Sequence, residues 1–315
     1  MARGLSRLVA RATCIALVWS LAMTSARADL VFYQPQTRDA DASPDAWRAT
    51  FGRLRRDGLD TVIVQWTRVG DITFGGPEGW LGSVLRLASA SGMRFVVGLS
   101  SDPSAFEAGG TDVDPDVLAA RLDADARRTV EQARRWRALT RLPGFAGWYL
   151  ADELDDHAWS APAKQRVLEG ALARLRVQLG EIAPGPVMLS AYFTGYADPE
   201  AFSQWMQGLG AAGWTAMVQD GAGVDQGLSK RQRQWYLQGA FSCVAGRHPG
   251  VVLEAFRQIS PPGTPFAARP ATTAELAEQR TELEGLCVGP RALFSLRYLP
   301  AAEGTLRWRS SSQEP

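Results

Sequence analysis

Two glutamates stand where apolar, β-branched runs stop. Glu153 closes the segment Gly147-Trp148-Tyr149-Leu150-Ala151-Asp152-Glu153, and Glu254 directly follows Val251-Val252-Leu253. Two carboxyl groups flanking one bond can cleave an acetal. One protonates the leaving oxygen, and the other attacks the anomeric carbon or activates water. The ends of other apolar runs supply what such a site would need. Gln65, Asp152, Gln219 and Asp220 are candidate hydroxyl binders, and Tyr33, Trp66, Tyr192, Tyr196 and Tyr298 are rings on which the C–H face of a sugar can stack. The competing reading of Glu153 is a rim carboxylate or helix cap, because Asp152, Asp155 and Asp156 crowd the same stretch.

Positioning these groups requires a scaffold, and its elements are regular. Eight short runs read as strands: Leu30 to Gln34, Thr61 to Trp66, Phe95 to Ser100, Ala146 to Leu150, Val187 to Phe193, Thr215 to Gln219, Val251 to Leu253 and Ala292 to Tyr298. Between them lie segments of helical period with start and stop signals. These run from Ser43-Pro44 to Gly58, Glu78 to Ala90, Asp114 to Leu139, Ala161 to Ile182, Pro199 to Leu209, Ser229 to Ala245 and Thr273 to Leu286. Strict alternation demands parallel strands joined by crossovers, which predicts an α/β protein with a single (β/α)8 TIM barrel over residues 29–315. An open doubly wound sheet fits less well, since Gly221-Ala222-Gly223 lacks the further glycine of a dinucleotide loop. The eighth helix is predicted to be short or missing, with Leu306 and Trp308 packing in its place. In a barrel, strands four and seven face each other across the mouth. Counting back by twos puts Ala151, Tyr149 and Gly147 on the side of Glu153, and Val252 on the side of Glu254. Trp47, Trp136, Trp205 and Trp235 fall at helix positions and read as packing against the barrel. The proline-rich stretch from Arg257 to Pro270 reads as a rim over the site.

Here the sequence resembles a known group. Glutamates ending strands four and seven mark the large clan A of retaining glycoside hydrolases, and Gly147 to Glu153 looks like its strand-four acid/base motif, with Asp152 where that clan has Asn. Phe32-Tyr33-Gln34-Pro35, Val64-Gln65-Trp66, Gly147 to Glu153 and Gln219-Asp220-Gly221 together resemble a family of secreted bacterial barrels of unknown function grouped with glycosyl hydrolases. The resemblance implies Glu153 as acid/base and Glu254 as nucleophile; with those roles Glu153, beside Tyr149 and other aromatics, is expected to stay protonated, and Glu254 to be ionised and held by a donor such as Arg297 or Tyr192. A bacterial exopolysaccharide or cell-surface glycan is the expected substrate.

The remaining signals set the compartment and exclude other chemistries. Residues 1–28 read as a signal peptide, with a basic start, an apolar run from Ala12 to Ala22 and a small-x-small site at Ala26-Arg27-Ala28. The chain carries 34 basic and 33 acidic residues; without the leader's Arg3, Arg7, Arg11 and Arg27 the balance is 30 against 33. That balance gives no electrostatic reason to expect nucleic acid. No later stretch is apolar enough for a membrane span. A periplasmic or secreted protein is expected, and in that oxidising setting Cys243 and Cys287 are expected to pair. With only His157 and His248 in the chain, neither a zinc site nor a Ser-His-Asp triad is expected, and Asp112, Asp114 and Asp116 lack the glycine of a calcium loop. No metal and no cofactor are expected. The expected partners are a carbohydrate substrate and polysaccharide biosynthesis or export machinery. A barrel that binds polysaccharide without cutting it is the alternative, because it would keep the aromatic groove and need no matched carboxylates.

Overall fold

The computed structural model describes residues 29–102, 114–244, 246, 248–261 and 264–306. The leader, Asp112 and Trp308 lie outside them. Eight parallel strands form a closed barrel: β1 (Asp29–Tyr33), β2 (Leu59–Val64), β3 (Arg94–Gly98), β4 (Phe145–Asp155), β5 (Val187–Tyr192), β6 (Thr215–Gln219), β7 (Gly250–Glu254) and β8 (Arg291–Phe294). Closure comes from Leu30 and Val31 of β1 pairing with Ala292 and Leu293 of β8. Seven helices surround it among the described residues: α1 (Pro44–Arg56), α2 (Trp80–Ala90), α3 (Pro115–Trp136), α4 (Pro162–Ile182), α5 (Pro199–Ala211), α6 (Lys230–Ala240) and α7 (Thr273–Glu282). This is the predicted (β/α)8 barrel.

The helix starts follow from local chemistry. The side chains of Ser43, Asp198, Ser229 and Thr272 each accept a backbone N–H of the first turn, and Pro44 and Pro199 occupy positions whose N–H would go unused. Side-chain alternation along the strands builds two apolar layers. Leu30, Phe32, Ile63, Val96, Met217 and Val252 fill the barrel interior, while Trp47, Phe51, Trp136 and Trp148 pack between barrel and helices. Trp205 is buried in that outer layer as expected, but Trp235 is 47% exposed, with the Arg231 guanidinium over its ring.

The largest departures from expectation lie in β4 and β8. Strand β4 runs on to Asp155, with its register against β5 broken between Leu150 and Leu154, so Ala151, Asp152 and Glu153 bow out as an extended bulge. A second irregularity lies where Phe95 pairs with Phe145 but Val97 pairs with Trp148. There Gly147 takes φ +134°, and a Cβ on it would sit 2.3 Å from the Pro186 carbonyl, so Gly147 is not part of the inward set and Ala146 takes that side. The last strand stops at Phe294, short of the expected Tyr298, because Leu296–Tyr298 and Pro300–Ala302 turn as 3-10 helices. Among the described residues, these turns stand where an eighth helix would follow. Buried Ala301, Ala302 and Leu306 cover the wall, and Arg53 Nε donates to the Ala301 carbonyl at 2.9 Å.

Cys243, after α6, and Cys287, ahead of β8, form the expected disulfide across 44 residues of sequence. Closing a loop of that length constrains the unfolded chain. Cys287→Ser is therefore expected to cost about 2–4 kcal/mol, read as a lower urea midpoint that dithiothreitol reproduces in the wild type. Among the described residues, no helix is long and apolar enough to cross a membrane.

Candidate active site

Each strand delivers its last inward residue to the carboxyl-terminal mouth of the barrel. Ile63 points in, so Gln65 two residues later does too. Met217 carries Gln219, and Val252 carries Glu254. On β4 the inward series Tyr149, Ala151 leads to Glu153. These residues enclose a cavity of about 290 Å³. Its polar wall is Gln34, Gln65, Ser101, Glu153, Gln219 and Glu254, and its apolar wall includes Trp66, Phe256 and Phe294. One layer further into the barrel, the Tyr149 hydroxyl meets Ser190 Oγ at 2.7 Å, and Phe32 packs edge-on against Tyr149.

Glu254 is 3% exposed. Its carboxylate accepts the backbone N–H groups of Gly223 and Val224. The loop can approach this closely because position 223 is glycine: a Cβ there would meet Glu254 Cβ at 2.8 Å and the Phe256 ring at 2.9 Å. Neither Arg297 nor Tyr192 holds Glu254. Burial and the neighbouring Asp220 push its carboxyl up to about 8, opposite to the ionised state expected from the sequence. Glu153 is half-buried and receives a hydrogen bond from the Gln219 side chain, and burial raises its carboxyl as well.

Several residues selected from the sequence lie elsewhere. Tyr33 is fully buried on the outer face of β1, edge-on to Trp47, and its hydroxyl donates to Asp39 at 2.9 Å. Arg297 is locked in the same cluster, paired with Asp39 and donating to the Gln34 carbonyl. A guanidinium committed to Asp39 is not available to Glu254. Tyr298 stacks on the Phe256 ring at 5.1 Å and borders a separate pocket beside α1. Asp152, next to inward Glu153, turns the other way. It faces Ser101 and Asp125 in a side pocket, where burial and the Asp125 charge push it up to about 6. Tyr192 borders an apolar cavity of about 270 Å³ between β4, α3 and α4, and burial with the Asp155 charge pushes its phenol up to about 12. Tyr196 is 60% exposed on the rim and packs at a tilt against the His157 ring, its loop pinned by backbone N–H bonds to buried Asp156. Asp220 is buried behind Glu254 and does not line the cavity.

Of the selected residues, then, Gln65, Trp66, Glu153, Gln219 and Glu254 share one cavity. Gln34, Ser101, Val224, Phe256 and Phe294 join them without having been singled out. Phe256 had a legible signal, since it lies two residues beyond Glu254. It opens the antiparallel hairpin of Phe256–Gln258 with Ala268–Pro270, which begins one residue before the stretch expected to form the rim.

Residues 29–289 match the model of the domain of unknown function DUF4434. The chain belongs to that family. YbcH of Escherichia coli K12, itself described as uncharacterised, is 34% identical over 287 residues, covering 88% of this chain and 92% of its own. Among solved structures, a Bacteroides thetaiotaomicron protein assigned provisionally as an alpha-L-fucosidase superposes with a TM-score of 0.65 at 14% identity, covering 88% of this chain and 90% of its own. At that identity the likeness to the solved structure concerns the fold. The family match agrees with the family of barrels of unknown function expected from the strand-end motifs.

Proposed function

We propose that this DUF4434 protein is a retaining glycoside hydrolase in which Glu153 is the acid/base and Glu254 the nucleophile. The observation that carries the reading is the meeting of these two carboxyl groups in one cavity at the carboxyl-terminal mouth of a closed barrel. Their surroundings suit different tasks. An acid/base exchanges a proton twice per turnover, and half-buried Glu153 has access to the cavity for it. A nucleophile needs fixed aim, and fully buried Glu254 is held by two backbone N–H groups. In the fraction of molecules in which Glu254 has released its proton to solvent while Glu153 keeps its own, Glu153 would protonate the glycosidic oxygen as the Glu254 carboxylate attacks the anomeric carbon. The alcohol leaves with that proton, and a glycosyl ester forms on Glu254. Glu153, now a carboxylate, takes a proton from water, whose oxygen displaces Glu254 and restores the original configuration.

Among the described residues, the cavity wall contains amides, carboxyls and aromatic rings but no lysine or arginine, which favours a neutral sugar over a uronic acid. The leader-like start of the sequence and the Cys243–Cys287 disulfide support work outside the cytoplasm. There the substrate would be an exopolysaccharide or cell-surface glycan met alongside polysaccharide export machinery.

The test is incubation of the purified protein with a panel of neutral bacterial polysaccharides and aryl glycosides, following new reducing ends and their anomeric configuration by proton NMR. First-formed product of retained configuration is expected. Inverted product would replace the nucleophile with a general base. Glycan binding without new reducing ends would make the barrel a polysaccharide-binding module. Because a nucleophile attacks as a carboxylate, and burial with the Asp220 charge holds the Glu254 proton up to about 8, kcat/KM is expected to rise as pH rises toward about 8, where Glu254 ionises. A kcat/KM that instead falls through that range would place the essential proton on Glu254 and remove it as the nucleophile.

A further inference from the structure

Behind Glu254, and out of reach of the cavity, lies a second fully buried carboxyl group, Asp220. Its Oδ1 accepts two backbone N–H groups, from Ala222 at 3.2 Å and from Glu254 itself at 3.3 Å. The first belongs to the loop that presents Gly223 and Val224 to the Glu254 carboxylate. The second fixes the residue that bears that carboxylate. Gln279 of α7 completes the bracket, its Nε2 donating to Asp220 Oδ2 at 2.6 Å and to the Glu254 carbonyl at 3.2 Å.

The charges around this bracket do not neutralise it. Arg233 of α6 reaches the Asp220 backbone carbonyl through Nε, while its Nη2 pairs with Glu282 at 3.0 Å. Lys230 is also paired with Glu282 and with Glu278. Arg257 donates to the Glu254 carbonyl rather than to its carboxylate. From β4 the facing group is another acid, Glu153. The Arg233 charge lowers Asp220 only in part, and with no cation paired to either carboxyl group the two cannot both ionise readily, so they hold a proton between them over a range of pH.

We propose that Asp220 is the positioning residue of the site: it fixes Glu254 and the loop that grips it in one bracket, and its charge decides when Glu254 ionises. Asp220 touches no substrate and acts only through Glu254. Its role in turnover rests on the glycosidase reading, but its effect on Glu254 does not. The raised positions of both groups, about 6 for Asp220 and about 8 for Glu254, agree with a shared proton.

The test is a carbon-13 NMR titration of side-chain carboxyls in the full chain, with Glu254 and Asp220 assigned through bonds from their own backbone signals. In the wild type each group is expected to titrate in two coupled steps; two independent single-step curves would overturn the proposal even if neither variant folded. Asp220→Asn keeps an oxygen for the two N–H groups, and Gln279 can turn its amide to present Oε1, which has no partner. That variant is expected to lower the Glu254 midpoint by one pH unit or more, with hydrogen exchange at Gly223 and Val224 unchanged. Asp220→Ala is expected to speed exchange at both amides at least tenfold. An unmoved Glu254 midpoint in the Asn variant, or unchanged exchange in the Ala variant, would refute the role. Each result can be read whether or not a glycan is ever cleaved.

Discussion

Glu254→Gln is expected to remove glycoside turnover and, at the same time, to stabilise the fold above neutral pH. The loss of turnover follows from deleting the nucleophile. A decrease in kcat of about 10⁴-fold or more is expected, because an amide cannot form the glycosyl ester. The gain in stability follows from linkage. In the unfolded chain Glu254 ionises near its ordinary value of 4.5, whereas in the folded chain burial and Asp220 hold its proton up to about 8. Below the unfolded value both states are protonated, and the site carries no pH-dependent cost. As pH rises toward about 8, unfolding releases a proton that the native state keeps, so stability drains away. Asp220 and Asp152, both pushed up to about 6, add slopes of the same sign at lower pH.

Holding a proton one pH unit beyond its ordinary range costs a folded protein about 1.4 kcal/mol, so the burial of Glu254 would cost the wild type a few kcal/mol at alkaline pH. Glutamine mimics the protonated acid, can keep the Gly223 N–H as a donor to its oxygen, and never ionises. Thermal unfolding at about pH 5 and about pH 8 should therefore show the wild type losing stability across the interval, and Glu254→Gln losing less. A wild type whose melting temperature is flat or rises over that range would contradict the buried, proton-holding state of Glu254.

The fold could be read from the sequence because each of its parts depends on short-range pattern. Eight apolar runs alternating with capped helical segments leave few closed arrangements, and Ser43-Pro44, Ser229 and Thr272 mark their helices by local hydrogen bonding alone. Inward positions can be read in the same way wherever period two holds, as from Val252 to Glu254. The period is broken in β4. The bulge at Ala151 to Glu153 arises from pairing with Leu189 and Ala191 some forty residues away, which nothing local encodes. The charge state of Glu254 is hidden from the sequence for a related reason. Its donors and the like charge of Asp220 come from the segment 220–224 after β6, its own backbone from β7, and its bracket from Gln279 on α7, so three separate elements must fold before that environment exists. Arg297 reads in the sequence as a free cation beside the site because its partner Asp39 lies 258 residues earlier. The glycine-rich Gly221-Ala222-Gly223 is visible in the sequence, but only a structure shows that its small residue accommodates a carboxylate's Cβ rather than a phosphate.

Glu153→Gln is expected to behave differently from Glu254→Gln, and the difference assigns the two roles. A general acid matters in proportion to how poor the leaving group is. Against a glycan or alkyl glycoside, removing it is expected to lower kcat/KM by about 10²–10⁴-fold. Against a dinitrophenyl glycoside, whose leaving group needs no proton, the first step should be nearly unaffected. The glycosyl ester on Glu254 should then accumulate, because no base activates water for its hydrolysis, and a burst followed by a slow steady state should appear. Azide, a nucleophile that needs no base, should restore turnover in Glu153→Ala and yield the glycosyl azide of retained configuration. In Glu254→Ala, azide would occupy the place of the lost carboxylate and yield the inverted azide. Retained product from the Glu254 variant and inverted product from the Glu153 variant would exchange the roles. In that case Glu254, whose carboxyl keeps its proton to about pH 8, would be the acid, and the half-buried Glu153 beside Gln219 would be the group that attacks.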